Sequence, residues 1–473
     1  MQATKQHAHW SSRFTFLMAA IGSAVGLGNI WRFPFIAGEN GGGAFILIYL
    51  VTTLAIGLPI LVAEVMLGRM GAESPINAMI KLARTHRRSM LWVIIGLGGT
   101  FGAFVIVSYY SVIGGWALKY LLEAATGGFH GLTAETSGAM FDDFTGSASA
   151  LTVWHSAFMA INIGIVAWGV HNGIERAVSV MMPLLFALLV AMAIYAAGTP
   201  GSAEATEFFF SADFSKVTPK TFLIAIGQGF FSVGVALGSM MAYGAYLDEQ
   251  VSIPKSAVII VLADTGVAIL AGFVIFPLVF TFALEPGAGA GLVFATLPIA
   301  FGQMDNGVLI GTLFFLLLTV AAITSAISLL EPTIAWADEK FETPRPQLAF
   351  IVGVSAWGLG LATVLSFNLW SKVFPLASLG VLEDKTFFDV FDFSVTSLVM
   401  PTIGLLIALF AGWALSKETV QEALGVGDSA LFTLWRFSLR VLVPLAILGI
   451  FLSNLLTDEQ KEAIGIFLAA LGN

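Results

Sequence analysis

Gly22-Ser23-Ala24-Val25-Gly26-Leu27-Gly28-Asn29 interrupts the first long apolar run of the chain, and Gly227-Gln228-Gly229-Phe230-Phe231-Ser232-Val233-Gly234-Val235-Ala236-Leu237-Gly238 interrupts the sixth. Each glycine costs up to ~1 kcal/mol of helix propensity, so both stretches are poised to unwind. Unwound backbone is tolerated at membrane depth only where it lines a cavity or is buried in protein. The two interruptions are therefore candidate ligand sites. Each opens a set of five runs, and an odd number per set turns the second copy upside down relative to the first. Matched interruptions in inverted halves point to the binding site of a secondary transporter. Close helix packing through small residues is the alternative that spacing alone leaves open.

The rest of the chain supplies the membrane. It has 473 residues, 58% apolar and 11% charged, where soluble domains are about 45–50% apolar and about 25% charged. A water-soluble enzyme of this length is excluded. With no cysteine among the 473 residues, there is no disulfide framework, thiolate metal site or cysteine nucleophile. A net charge of −9, with Arg84, Arg87 and Arg88 as the one short basic run, argues against nucleic acid.

Eleven runs are long enough to span: 13–37, 42–69, 88–124, 152–170, 176–197, 219–246, 254–284, 307–337, 346–366, 387–413 and 431–456. None alternates as a barrel strand would, so the fold expected is an all-α bundle of eleven transmembrane helices. A cytoplasmic N-terminus puts thirteen Lys and Arg inside and six outside, Arg32 and Arg440 being left out as intramembrane. The positive-inside rule favours that orientation in a plasma (inner) membrane, with the C-terminus outside. A cleaved signal peptide over 1–24 is the lesser alternative, because the apolar run continues to Arg32 and Pro34. The organisation expected is a gate segment 1–12, repeat 13–197, an outer loop 198–218, repeat 219–415, an inner loop with the last span over 416–456, and a tail 457–473 too short to cross.

Gly22-Ser-Ala-Val-Gly-Leu-Gly-Asn29-Ile-Trp-Arg32-Phe-Pro34 followed by Glu39-Asn-Gly-Gly-Gly-Ala-Phe45 resembles the neurotransmitter:sodium symporter family, in its bacterial amino-acid branch. The likeness continues through Glu64 before Gly68-Arg69, Tyr109-Tyr110, Gln228 to Gly238, Asp264 to Pro277, Ala321 to Pro332, and Asp389-Val-Phe-Asp392-Phe393. It covers almost the whole chain. What it implies is a sodium-coupled symporter of a neutral, mainly apolar amino acid, working by alternating access, with two sodium ions and no catalysis. GABA, taurine or betaine-like zwitterions, or a non-transporting receptor of the same fold, are the alternatives.

The resemblance also assigns residues. One sodium would meet the carbonyls of Gly22, Val25 and Ala321 and the hydroxyls of Thr324 and Ser325. A hydroxyl in a membrane helix more often bonds its own i−4 carbonyl, and without the likeness that reading would be preferred. The second ion would meet the Ala24 carbonyl, Asn29, Ser232, Asp264 and the substrate carboxylate. That carboxylate would also reach the amides of Leu27 and Gly28 and the hydroxyl of Tyr110. Gly26 stands where monoamine carriers place an acid, so the solute should carry its own carboxylate. Ile106, Phe231, Gly234, Leu237, Ser325 and Leu329 would form the remaining wall.

Arg32 and Asp392 would gate the outer side as a solvated pair beneath which Phe231 closes. Lys5 pairing with Asp338 or Glu339, with Trp10 as a plug, would gate the inner side. Glu64 is read as a carboxylate bonded to amides freed by a broken helix, with a charge pair through Arg69 as the alternative. Animal members use chloride near positions matching Tyr49, Gln228 and Ser232. Here the carboxylate of Asp264 would replace it, and no chloride requirement is expected. Gly234 stands where serine is usual. It removes a side chain from the pocket floor, so bulkier solutes should be admitted than a serine would permit; the competing explanation is a positive φ that every solute would need equally.

Overall fold

The computed structural model describes residues 9–284, 291–380 and 382–455. Among them, nine helices are long and apolar enough to cross a membrane: Gly43–Gly71, Met90–Ala125, Ala148–Ala167, Val170–Ala197, Ile253–Thr281, Gly307–Lys340, Arg345–Ser366, Phe387–Ala414 and Ala430–Ser453. Arg13–Ala24 and Gly28–Glu39, bent by 52°, make one further crossing. Pro219–Val233 and Ser239–Ala245, each too short to span alone, make another. Taken in chain order these are spans 1 to 11, and spans 1 and 6 are the broken ones. The tail 457–473 lies outside the described residues.

One boundary departs from the sequence reading. Span 4 stops at Ala167 and span 5 already begins at Val170, where a loop had been expected up to 175. Gly169 turns the chain at φ +87, and a Cβ on Gly173 would stand 2.0 Å from the Ile165 carbonyl oxygen. The two spans meet in a corner too close for a polar linker.

Burial ranks the spans. The most apolar window of span 8 is 89% buried and that of span 11 is 28% buried, so span 8 is the central post and span 11 lies at the rim. Span 3 packs along span 8, and the inner half of span 1 leans on spans 8, 7 and 5.

Span 1 breaks where Val25 turns extended at ψ 106, and the helix resumes as a wide turn over Gly28–Arg32. In span 6, Gly234, Ala236 and Gly238 take φ of +65, +68 and +73. A left-handed alanine costs roughly 1–2 kcal/mol, so something must hold Ala236. Its amide donates to Glu64 Oε2 at 2.7 Å, from a carboxylate wholly buried in span 2. The amides of Gly238 and Met241 face the same carboxylate. Span 2 can come this near because Gly68 and Gly244 lack side chains: a Cβ on either would meet the Met241 or Val65 carbonyl oxygen at 2.0 and 2.4 Å. Arg69 does not pair with Glu64. It donates to the Val251 carbonyl at 2.7 Å and to that of Ala423, tying loops together.

Glu64→Ala would strand buried amides, at a cost of about 1–3 kcal/mol. In thermal unfolding of the detergent-solubilised protein, Glu64→Ala is expected to melt well below the wild type, and Glu64→Gln, which keeps an acceptor, between them. Equal melting of Glu64→Ala and wild type would show that the break is held by something else.

Candidate functional site

Two clusters of oxygen atoms flank the break in span 1. In the first, Ser325 Oγ donates across from span 8 to the carbonyls of Val25 and Gly22, at 3.1 and 3.3 Å. Thr324 Oγ1 turns back on the Val320 and Ala321 carbonyls, at 3.2 and 3.1 Å. Thr324 thus makes the bond any membrane-helix hydroxyl makes by default, whereas Ser325 reaches another helix. A Cβ on Gly22 would stand 3.1 Å from Thr324 Cβ. Three carbonyls and two hydroxyls gather where spans 1 and 8 touch.

The second cluster is wholly buried. Asn29 Nδ2 donates to Asp264 Oδ1 at 2.6 Å and to Ser232 Oγ at 2.9 Å, and Ser232 Oγ donates to Asp264 Oδ2 at 2.7 Å. Asn29 Oδ1 accepts from the Gly26 amide at 3.0 Å, which fixes the unwound turn. Apart from the Asn29 amide nitrogen, the groups facing one another here are oxygen atoms, with the carboxylate of Asp264 among them, a donor set that suits a hard cation.

A cavity of about 50 Å³ lies between the clusters. It is lined by Ala24, Gly26, Leu27, Gly28, Asn29, Ile106, Tyr110, Phe231, Gly234, Leu237, Ser325 and Leu329, together with Ser23 and Ser239. Ser232, read as an ion ligand beside the substrate, does not line the cavity; its hydroxyl donates to Asp264. Ser23 and Ser239 escaped the sequence reading because small residues beside glycine-rich breaks read as packing. The Leu27 amide donates to Tyr110 Oη at 3.2 Å, and Ser325 hydrogen-bonds with the same hydroxyl. A Cβ on Gly26 would stand 2.7 Å from Ser325 Oγ and 3.0 Å from Tyr110 Oη, so no acidic side chain fits there without moving both.

Phe231 closes the cavity on one side. Its ring lies where a Cβ on Gly28 would approach to 2.6 Å, and the Arg32 guanidinium sits over the ring at 4.6 Å. Arg32 and Asp392 do not form a direct ion pair. Tyr109 Oη donates to Asp392 Oδ1 at 3.1 Å, and the two charges line opposite parts of a second cavity of about 310 Å³ beyond Phe231.

The opposite side is sealed by Trp10. Its Nε1 donates to the Tyr243 carbonyl at 2.9 Å and its ring meets Tyr243 edge-on at 5.2 Å. Glu175 Oε1 accepts from the Ser11 amide at 2.6 Å, clasping the segment to span 5. Lys5 lies outside the described residues. Glu339, one of its two expected partners, accepts from the Ser74 amide at 2.6 Å and Asn77 Nδ2 at 2.7 Å. The ion pair found beside Trp10 joins Glu331 to Arg345, and Tyr246 Oη donates to Glu331 Oε1 at 2.9 Å. An acid inside the apolar run of span 8 was the sequence signal for it.

The fold and these clusters define a membrane carrier with a central pocket flanked by buried oxygen clusters, and comparison with known proteins agrees. The description "Sodium:neurotransmitter symporter family" matches residues 7–133 and 143–465. The chain is 38% identical over 447 residues to an uncharacterised sodium-dependent transporter of Bacillus subtilis, covering 94% of this chain and 97% of that one. It is 35% identical over 458 residues to one of Haemophilus influenzae, covering 95% and 99%. It superposes on the crystal structure of MhsT in complex with L-phenylalanine with a TM-score of 0.86, at 40% identity, covering 94% of this chain and 99% of that one. The chain belongs to the sodium:neurotransmitter symporter family. It is an integral membrane, sodium-coupled transporter with two inverted five-helix repeats, in a family of transporters rather than enzymes.

Gly234 can now be judged. Its φ of +65 is left-handed, and the nearest atom to an added Cβ is the Ser23 carbonyl oxygen at 3.7 Å, an ordinary contact. Conformation, more than space, demands glycine. Gly234→Ala is therefore expected to depress uptake of small and large solutes by a similar factor, through roughly 1–2 kcal/mol of backbone strain. A competition series from glycine to tryptophan measures this, and selective loss of the large members would restore the volume explanation.

Proposed function

We propose that this protein imports a neutral, hydrophobic α-amino acid together with sodium, by alternating access, through a plasma (inner) membrane in which its N-terminus is cytoplasmic. The observation that carries the reading is the common border of the pocket and the Asn29–Ser232–Asp264 cluster. An ion held there by the Ala24 carbonyl, Asn29, Ser232 and Asp264 would border the pocket through Ala24 and Asn29, which line it, and so would have a side left to fill. A substrate carboxylate would close it, with Tyr110 and the amides of Leu27 and Gly28 holding its other oxygen. Ion and solute would then each complete the other's site. A second ion on Gly22, Val25, Ala321, Thr324 and Ser325 would bind span 1 to span 8, and so would favour closure of the Trp10 side.

The apolar wall of Ile106, Phe231, Leu237 and Leu329 suits an aliphatic or aromatic side chain. That the 40%-identical MhsT was crystallised with L-phenylalanine supports the same class of solute. The cavity of about 50 Å³ is tight for such a side chain, and Phe231, which lines both this cavity and the larger one beyond it, is the group whose movement would admit it. Arg32 and Asp392 line the larger cavity, and their approach would shut it behind the solute. Trp10, with the Glu331–Arg345 pair, would open in the opposite half-cycle.

Asp264 supplies a fixed negative charge where a halide would otherwise balance sodium, so chloride should be dispensable. In proteoliposomes, uptake of labelled neutral amino acids should follow an imposed sodium gradient at equal rates in chloride and gluconate. Thr324→Val with Ser325→Ala should remove the flux from a folded protein. Full flux in potassium or in the double variant would contradict sodium coupling at these oxygens, and a wild type that stalls in gluconate would contradict the role given to Asp264.

A further inference from the structure

Arg436 and Arg440 stand one helical turn apart in span 11, and the pocket chemistry uses neither. Arg436 Nη2 donates to the Leu415 carbonyl at 3.1 Å, and Arg440 Nε donates to the Gly412 carbonyl at 2.7 Å. Those carbonyls close span 10, so both arginines cap a helix C-terminus, a favourable place for a cation. Capping accounts for one donor of each. A guanidinium has five, and Arg436 Nη1 is buried with no partner in a residue only 8% exposed.

The charge is also unbalanced. Among the described residues neither arginine has a carboxylate oxygen within 4.0 Å. Glu418, at the start of the helix Lys417–Leu424, is the one acid whose field reaches Arg436, while Arg440 itself repels it. Like charges at this spacing on a helix are mutually unfavourable. Intramembrane arginines with no carboxylate in contact call for an anion from outside the chain.

The surroundings say what kind. Arg440 lies over the ring of Trp413 at 4.9 Å, and that ring is 59% exposed at the rim, as interfacial tryptophans are. Leu445 and Leu448, one to two turns further into the same span, are exposed too, a surface for hydrocarbon. A ligand here meets two cations at its head and apolar side chains below. It is also at the end of the bundle that carries Trp10, where spans 10 and 11 are joined by residues 415–429.

We propose that the seam between spans 10 and 11 binds the phosphate of an anionic phospholipid, with Arg440 offering the accessible donors and Arg436 the charge behind them. Guanidinium matches phosphate in bidentate geometry. Two unbalanced cations favour a net-negative headgroup over a zwitterionic one, which brings its own ammonium. The inference does not depend on which solute is carried.

The test is native mass spectrometry of the purified full chain released from nanodiscs of phosphatidylcholine with and without phosphatidylglycerol, beside thermal unfolding in the same discs. The wild type should retain phosphatidylglycerol preferentially and melt higher with it. Arg440→Gln should lose about fivefold of that preference, the equivalent of the ~1 kcal/mol a basic residue contributes at an anionic surface. Arg440→Lys, which keeps charge but not the fork, should retain most of it, separating charge from misfolding. Sodium-dependent amino-acid binding by both variants checks that the bundle is intact. Equal lipid preference in wild type and Arg440→Gln would overturn the proposal. So would stabilisation by millimolar inorganic phosphate in plain phosphatidylcholine as large as that by phosphatidylglycerol, which would make the seam a free-anion site.

Discussion

Two helices give up backbone hydrogen bonds in the middle of this bundle, and the rest of the molecule is arranged around satisfying them. In hydrocarbon each unmet amide or carbonyl costs several kcal/mol, so a break without partners would not persist. In span 6 the partner is a buried carboxylate: Glu64 takes the amide of a left-handed Ala236, and the glycine contacts between spans 2 and 6 bring it into reach. In span 1 the partners are a hydroxyl, an amide and a tyrosine. Ser325 reaches the Val25 carbonyl, Asn29 takes the Gly26 amide, and Tyr110 takes that of Leu27.

The two breaks are met by different chemistry. Span 6 is held by a carboxylate acting as a permanent cap, which suits a hinge. Span 1 is held by neutral groups at 3.0 to 3.2 Å, which a ligand with better oxygens or a fuller charge can displace. That asymmetry puts the exchangeable partners in span 1, beside Asp264.

Much of this was legible in the sequence, for local reasons. Glycines mark the breaks because no other residue unwinds so cheaply, and Glu64 marks their support because an acid in an apolar run must find donors. The pocket residues followed from family likeness, and the structure gathers them around one cavity. What the sequence did not carry depends on distance across the bundle. Arg32 and Asp392 line one cavity without touching, since their separation is set by helix tilt. Glu331 and Arg345 meet across a turn between spans 8 and 9. For Gly234, the sequence reading favours volume, and the positive φ in the folded chain turns the choice to handedness.

The central claim is that ion and solute complete one another's coordination, and thermodynamic reciprocity tests it most directly. Equilibrium binding of a labelled neutral amino acid, titrated against sodium and the reverse, gives two coupling factors for the purified protein. The account predicts that sodium tightens the amino acid and the amino acid tightens sodium by the same factor, and that Asp264→Ala reduces both together. Amino-acid affinity that is unchanged between sodium and potassium would contradict it.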